Sequence, residues 1–357
     1  MGRSSEGRAG RPHYVVLGSL HDRELSIGYI AGVFRIALVL GLAACGKPQP
    51  SAPDAPTGPW SDGPMLPGPR LEPGVTALGD QLVMVGGIDT DVVHGSQITA
   101  EVDVLDPLSG TWSRLPDLPV QWTHINLAAI AGQLFVLGGT EGIQFVARGD
   151  AFTLDAGASS WRTLTSMPAT MERGASAVIV APPHILILGG AFTSDAVQTC
   201  LDYDISSDTW TQLPDLPSPR SHPAGMKMSD GTIVIVGGLA TLDATKPIAD
   251  TIALPPGATT WVARAPSPIA RGGCAYGVIG ESMVCAGGEA GAAALHVATS
   301  YDPYQDVWTM LPDMPVERAG TQAAAIGQRL FVPGGANELQ FIPTDTMSVY
   351  DALDTAN

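Results

Sequence analysis

Positive charge is scarce in this chain: 18 Lys and Arg stand against 35 Asp and Glu, a net charge of -17 at neutral pH. A surface of that sign repels nucleic acid and anionic lipid headgroups, so neither is expected as a partner. Charge of either sign is thin, at 15% of residues, which leaves too little Lys and Glu for long amphipathic helices. Cysteine is rarer still, with four residues in 357, and a small disulfide-built scaffold is excluded. Turn-forming residues are plentiful instead. The 42 Gly and 30 Pro punctuate a chain of mildly positive mean hydropathy, a composition that leans towards an all-β repeat protein.

Residues 36 to 45 read IALVLGLAAC, with Arg35 just upstream. This apolar run is too short to span a bilayer as a permanent helix. Its end, Leu42, Ala43, Ala44 and Cys45, resembles the lipobox of a bacterial lipoprotein signal, which implies lipidation at Cys45 after removal of residues 1–44. Residues 45–57 then form a lipidated, Pro-rich tether that cannot pack or pair. Gly46 in place of Asp resembles lipoproteins sent to the outer membrane, so the expected location is the bacterial cell envelope. Without residues 1–44 the chain carries 13 cations and 32 anions, and its surface is more acidic still.

An internal period accounts for nearly all of the rest. Gly-Gly doublets begin at 86, 138, 189, 237, 287 and 334, at intervals of 47 to 52 residues, the length of a four-stranded propeller blade. Each doublet closes a short apolar run such as LVMVGG, LFVLGG or ILILGG, as expected of strands buried on both faces. A Trp follows 20 to 25 residues after each of the first five doublets, at 112, 161, 210, 261 and 308, and opens a segment such as WSRLPDLP. Tyr-Asp pairs precede some of these, in LDYD at 201 to 204 and SYDP at 300 to 303, and another stands in VYDA at 349 to 352.

Together these elements resemble kelch repeats, and the resemblance covers residues 58–351. It implies an all-β fold, a six-bladed kelch-type β-propeller, followed by a C-terminal tail at 352–357. The sixth doublet has no Trp after it, whereas Trp60, in WSDGPMLP, precedes the first doublet with no blade of its own. The last blade is therefore expected to take three strands from about 318 to 351 and its outermost strand from about 58 to 66. Cys274 and Cys285 fall on two arms of a hairpin turning near Gly280. In that register Cys285 faces Tyr276, Cys274 is only a diagonal neighbour, and free buried thiols are expected.

Ligands of such propellers bind where the loops between blades converge. Arg70, Arg173, Arg220, Arg271 and Arg318 open the inner strands and are candidates for a cationic ring that attracts a carboxylate, although an arginine there can instead bond the neighbouring blade's carbonyls or the third-strand Asp. The second blade breaks the pattern with Trp122 and His124. Loop residues add Arg148 to the binding candidates and Glu289 and Glu338 as candidate acid or base groups. No cofactor and no metal site is expected. The histidines are scattered over four blades and only Tyr276 lies on an inner strand, which argues against a galactose oxidase-like copper centre.

The resulting expectation is a lipid-anchored kelch binding module, leaning away from an enzyme. Its ligand would be a protein, peptide or glycan, carboxylated if the arginine ring is a site, and it would meet the membrane only through its lipid. The alternative is a sialic acid (sugar acid) mutarotase-like enzyme, a class of exported six-bladed kelch propellers that the architecture resembles.

Overall fold

The computed structural model describes residues 58–89, 97–242, 244–291, 293–338 and 342–355. The signal, Cys45 and the tether lie outside the described residues, as do Asp91, His94 and Asp243.

Six antiparallel sheets form the blades, five of them four-stranded and the second carrying a short fifth strand, Trp122–Thr123. In the first, the strands run from the axis outward as Gly74–Leu78, Gln81–Val85, Val102–Asp106 and Thr111–Leu115. The other five innermost strands are Leu127–Ile130, Ala177–Ala181, Ala224–Lys227, Ala275–Ile279 and Ala324–Ile326. Each contacts its neighbours in turn, and Ala324–Ile326 returns to Gly74–Leu78, closing the ring. No α-helix occurs among the described residues.

The last blade is built from both ends of the propeller. Ala324–Ile326, Arg329–Pro333 and Met347–Asp351 are joined by Trp60–Asp62, with Trp60 paired to Tyr350 and Asp62 to Ser348. Trp60–Asp62 is the outermost strand of this blade, so main-chain pairing ties the start of the propeller sequence to its end.

The second strands are apolar on both faces because a blade is sandwiched between two others. Val83, Val85 and Val102 of the first blade pack with Leu127, Leu134 and Val136 of the second, all nearly free of solvent. Each such side chain contributes roughly 1.5–3 kcal/mol by leaving water. At the rim, the outer-strand tryptophans stitch blade to blade. The indole N–H of Trp161 donates to Pro116 O at 2.8 Å, Trp210 to Thr165 O at 2.8 Å, Trp308 to Ala265 O at 2.9 Å and Trp60 to Pro312 O at 2.8 Å.

The Gly-Gly doublets end the second strands in the left-handed region, as at Gly237 (φ 60°) and Gly238 (φ 102°). A Cβ on Gly237 would stand 2.7 Å from the carbonyl of Arg271 in the next blade, so the close approach excludes other residues. The second blade departs from this. Its strand Gln133–Glu141 runs through a bulge between Leu137 and Gly139 and pairs with Val146–Leu154 in an extended hairpin.

Cys274 and Cys285 are bonded, which corrects the expectation of free thiols. The expected register is present, with Cys285 opposite Tyr276. Cys274 lies just before the paired strand, however, where the chain is no longer bound by the ladder spacing, and its Cα is 5.6 Å from that of Cys285, within disulfide range. Cys200 is a buried free thiol in the core, and burial pushes its pKa up to about 12.

Candidate functional site

Each innermost strand is entered through three equivalent residues: Arg70-Leu71-Glu72, Trp122-Thr123-His124, Arg173-Gly174-Ala175, Arg220-Ser221-His222, Arg271-Gly272-Gly273 and Arg318-Ala319-Gly320. The third residue has positive φ in every blade: 54° at Glu72, 51° at His124, 53° at Ala175, 52° at His222, 60° at Gly273 and 65° at Gly320. Backbone hydrogen bonds run from blade to blade through these residues. Glu72 N donates to Gly320 O at 2.7 Å, His124 N to Glu72 O at 3.0 Å, Ala175 N to His124 O at 2.9 Å, His222 N to Ala175 O at 2.8 Å and Gly273 N to His222 O at 2.9 Å.

The backbone collar surrounds one end of an axial cavity of about 390 Å³. Its walls are the apolar faces of the inner strands, among them Val75, Leu127, Val178 and Val278. At the collar the lining becomes polar, with Glu72, His124, His222 and Glu289. His124 Nε2 is 3.4 Å from Glu72 Oε2, and the two imidazole rings meet edge to face with centroids 5.3 Å apart. His124 Nδ1 is 2.8 Å from Thr123 Oγ1, and His222 Nδ1 is 3.2 Å from Ser221 Oγ. In both rings the preceding hydroxyl holds Nδ1.

Burial shapes the charge of this cluster. It lowers His124 and His222 to about 4, so both imidazoles are neutral at physiological pH; for His222, Glu72 opposes the shift and His124 reinforces it. Burial raises Glu72, partly offset by His222, and raises Glu289 to about 7, with the Glu72 charge adding to the effect. Glu289 is thereby suited to hold or release a proton near neutrality. Gln322 also lines the cavity, but its amide is occupied at both ends, accepting from Val75 N and donating to Ile125 O.

The five arginines do not line this cavity. All are 1–3% exposed and turn their guanidinium groups into their own blades. Arg271 donates to Gly287 O, Val297 O, Cys285 O and Thr299 Oγ1, and Arg318 to Gly334 O and the hydroxyls of Thr344 and Thr346. Arg173 bonds Thr199 O and Arg220 bonds Gly237 O, while Arg70 is paired with Asp103 at 2.9 Å and Glu101 at 2.8 Å. Four of them satisfy carbonyls at and beside the glycine turns, and Arg70 neutralises two carboxylates.

Trp122 stands in the arginine register of the second blade, where its carbonyl accepts from Gly87 N. Its ring is 2% exposed and packs on Phe152 in the core, with no face open for stacking. Arg148 is exposed and paired with Glu141, beside a shallow cleft with Glu172 and Phe192. Glu338 is an exposed loop residue away from the cavity. Of the sequence candidates, the structure brings Glu289 alone to the axial mouth among the described residues. It adds Glu72 and His222, whose separation along the chain hid them, and joins to them His124, which the sequence marked only as a departure from the arginine pattern. The signal was the third position of each blade entry, polar in three blades and Gly or Ala in the others.

Fold and site together define a six-bladed β-propeller with a ligand-sized axial cavity. The chain belongs to the kelch-repeat family. The KLHDC2/KLHL20/DRC7 Kelch-repeats domain matches residues 123–335, and the Kelch motif matches residues 69–119. The Kelch-like protein terF of Aspergillus terreus is 30% identical over 340 residues, 89% of this chain and 72% of that protein. Kelch-like protein 35 of Mus musculus is 32% identical over 164 residues, but these span 46% of this chain and 26% of the mouse protein. The F-box/kelch-repeat protein At1g80440 of Arabidopsis thaliana is 29% identical over 145 residues, 39% of this chain and 41% of the plant protein.

Proposed function

We propose that this chain is a lipid-anchored interaction module that holds a partner's side chain or a small ligand in the axial cavity, at the mouth carrying Glu72 and Glu289. The observation that carries this reading is the cavity itself. It has an apolar wall and a few convergent polar groups at one end, the usual make-up of a binding site. The family supports a protein partner, since its relatives are themselves kelch-like proteins. The lipobox-like Leu42 to Cys45 supports envelope anchoring.

The test fills the cavity without touching the outer surface. Val178→Trp should abolish proximity labelling of the partner recovered with the wild-type chain while leaving the thermal midpoint nearly unchanged. Unaltered labelling by a folded variant would reject the cavity as the site. Anchoring is checked separately by Cys45→Ser, which should release the protein from membranes and remove incorporated palmitate.

A second reading is favoured by Glu289 alone. A carboxyl group with a pKa of about 7 in an enclosed cavity is a proton donor of the kind that sugar ring-opening needs. The arginines that would hold a sugar acid's carboxylate are committed to their blades. Anomeric exchange of neutral and acidic sugars, followed by NMR with wild type and Glu289→Gln, separates this reading from pure binding.

A further inference from the structure

We propose that Glu72, His124 and His222 form a binding site for one divalent first-row transition metal ion, of the zinc or cobalt type, with its remaining coordination positions facing the axial cavity.

The donor set is a carboxylate and two imidazoles, the combination found where a divalent ion keeps positions open for water or a ligand. Their ligand atoms all lie within 4.8 Å of one another. The Glu72 to His124 separation of 3.4 Å already equals the edge of a tetrahedron with bonds of about 2.0–2.1 Å. Bringing His222 to the same spacing requires at most about 1.4 Å of closure, within reach of its side-chain torsions. Gly273 presents no side chain beside the His222 ring, and even a Cβ built there would come no nearer than 3.9 Å to it.

The groups behind the ligands are those a metal site requires. A ligating imidazole needs its second nitrogen held by a hydrogen bond, which sets the tautomer and the ring orientation. Here Thr123 and Ser221 hold Nδ1 of His124 and His222, and Nε2 of His124 faces Glu72. With Nδ1–H as donor the chain is satisfied outward. Thr123 Oγ1 accepts from the ring and lies 2.8 Å from Thr140 Oγ1, which donates to Thr123 O.

The backbone places all three donors at one equivalent position of their blades. Glu72, His124 and His222 occupy left-handed φ, where a residue other than glycine costs on the order of 1 kcal/mol or more. Gly273 and Gly320 fill the same position in other blades without that cost, so the fold does not require a side chain there. Ala175 holds the same φ with only a methyl group, so strain alone marks no ligand; what sets Glu72, His124 and His222 apart is that three donor side chains from three blades converge on the axis. At Gly320 a Cβ would come within 3.0 Å of Glu72 Oε1, so this blade's glycine also makes space for the carboxylate.

The test uses tag-free full-length protein stripped with a chelator and titrated with Co²⁺, followed by Zn²⁺ competition. One equivalent of Co²⁺ should bind with visible d–d absorption and be displaced by Zn²⁺. The variant His124→Gly/His222→Gly places in these blades the residue that others use at the same φ, so it should fold with an undiminished thermal midpoint. Its Co²⁺ affinity should fall by more than the roughly 10–100-fold that loss of one outer-shell partner costs. Thr123→Val/Thr140→Val, which removes both hydroxyls within reach of His124 Nδ1, should weaken Co²⁺ by about 10-fold. Absence of saturable one-to-one binding overturns the proposal. So does binding that survives unchanged in the folded double glycine variant, because the ion would then sit elsewhere, for instance at His184 and Asp202. Failure of Val178→Trp to block a partner leaves this result untouched, so the metal site and the binding function stand or fall separately.

Discussion

Trp60 and Tyr350 face each other across the seam of the ring, paired in register, with their rings 5.1 Å apart. They come from opposite ends of the propeller sequence, and their contact fastens its first strand to its last blade. Trp60 is 6% exposed and also bonds Pro312 O of the fifth blade. Trp60→Ala should therefore lower unfolding free energy by about 3–5 kcal/mol, the range for a buried tryptophan, measured by urea titration. Deleting residues 58–66 should prevent cooperative folding altogether. A deletion variant with the wild-type midpoint would rule out closure by this strand.

The arginines should behave as structural residues. Arg271→Met removes a donor from the carbonyls of Cys285, Gly287 and Val297, of which Val297 O keeps the Gly287 N–H, and each buried group left unpaired costs about 1–3 kcal/mol. A loss of several kcal/mol of unfolding free energy is expected, read from the shift of the urea midpoint. Arg148→Ala, at an exposed ion pair, should stay within about 1 kcal/mol of wild type. Equal and small effects would return the arginine ring to the surface.

Reduction of the Cys274–Cys285 bond should destabilise the protein moderately. The bond closes a loop of 11 residues in sequence separation, for which the chain-entropy effect is about 3 kcal/mol. Non-reducing peptide mapping should show the linked pair, and Cys285→Ala should reproduce the shift in thermal midpoint caused by reductant.

Glu289 should give the cavity a pH signature. Its folded pKa, about 7, lies above the unfolded value, so its contribution is fully present below the unfolded pKa of 4.5 and is lost as pH rises through 7. In chelator, Glu289→Gln should therefore gain stability over wild type progressively between pH 4.5 and 7 and keep that gain above it. The measurement is the difference in thermal midpoint at pH 4, 6 and 8. A difference that does not grow with pH means the carboxyl is solvated. His124 and His222, with pKa values of about 4, act in the opposite direction in both proteins, losing stability as pH falls below 6.5, and cancel in the comparison.

Much of the architecture was legible because it depends on local chemistry repeated at a fixed interval. A Gly-Gly doublet answers a backbone need that each blade has separately, and the Trp and Tyr-Asp elements mark strands by their own spacing. The missing sixth Trp and the surplus Trp60 even disclosed the closure. The sequence did not disclose what the arginines bond. Their position at the mouth is visible in the repeat, but the direction of a guanidinium depends on which carbonyls lie within reach. Here those are the carbonyls of the glycine turns, up to 26 residues away. The disulfide was missed for a related reason, since Cys274 sits where strand pairing gives way to a turn and ladder geometry no longer sets distances.

By itself the sequence determined the six blades, their strand order, the closing strand and the acidic balance, since each follows from residue types at regular spacing. Only the tertiary structure decided which side chains meet on the axis. Glu72, His124 and His222 belong to three blades, and neither the intervals between them nor their neighbours mark them as partners. Closing the ring brings every blade's third entry residue to the same radius and height, and the left-handed backbone at that position holds its side chain at the mouth of the cavity.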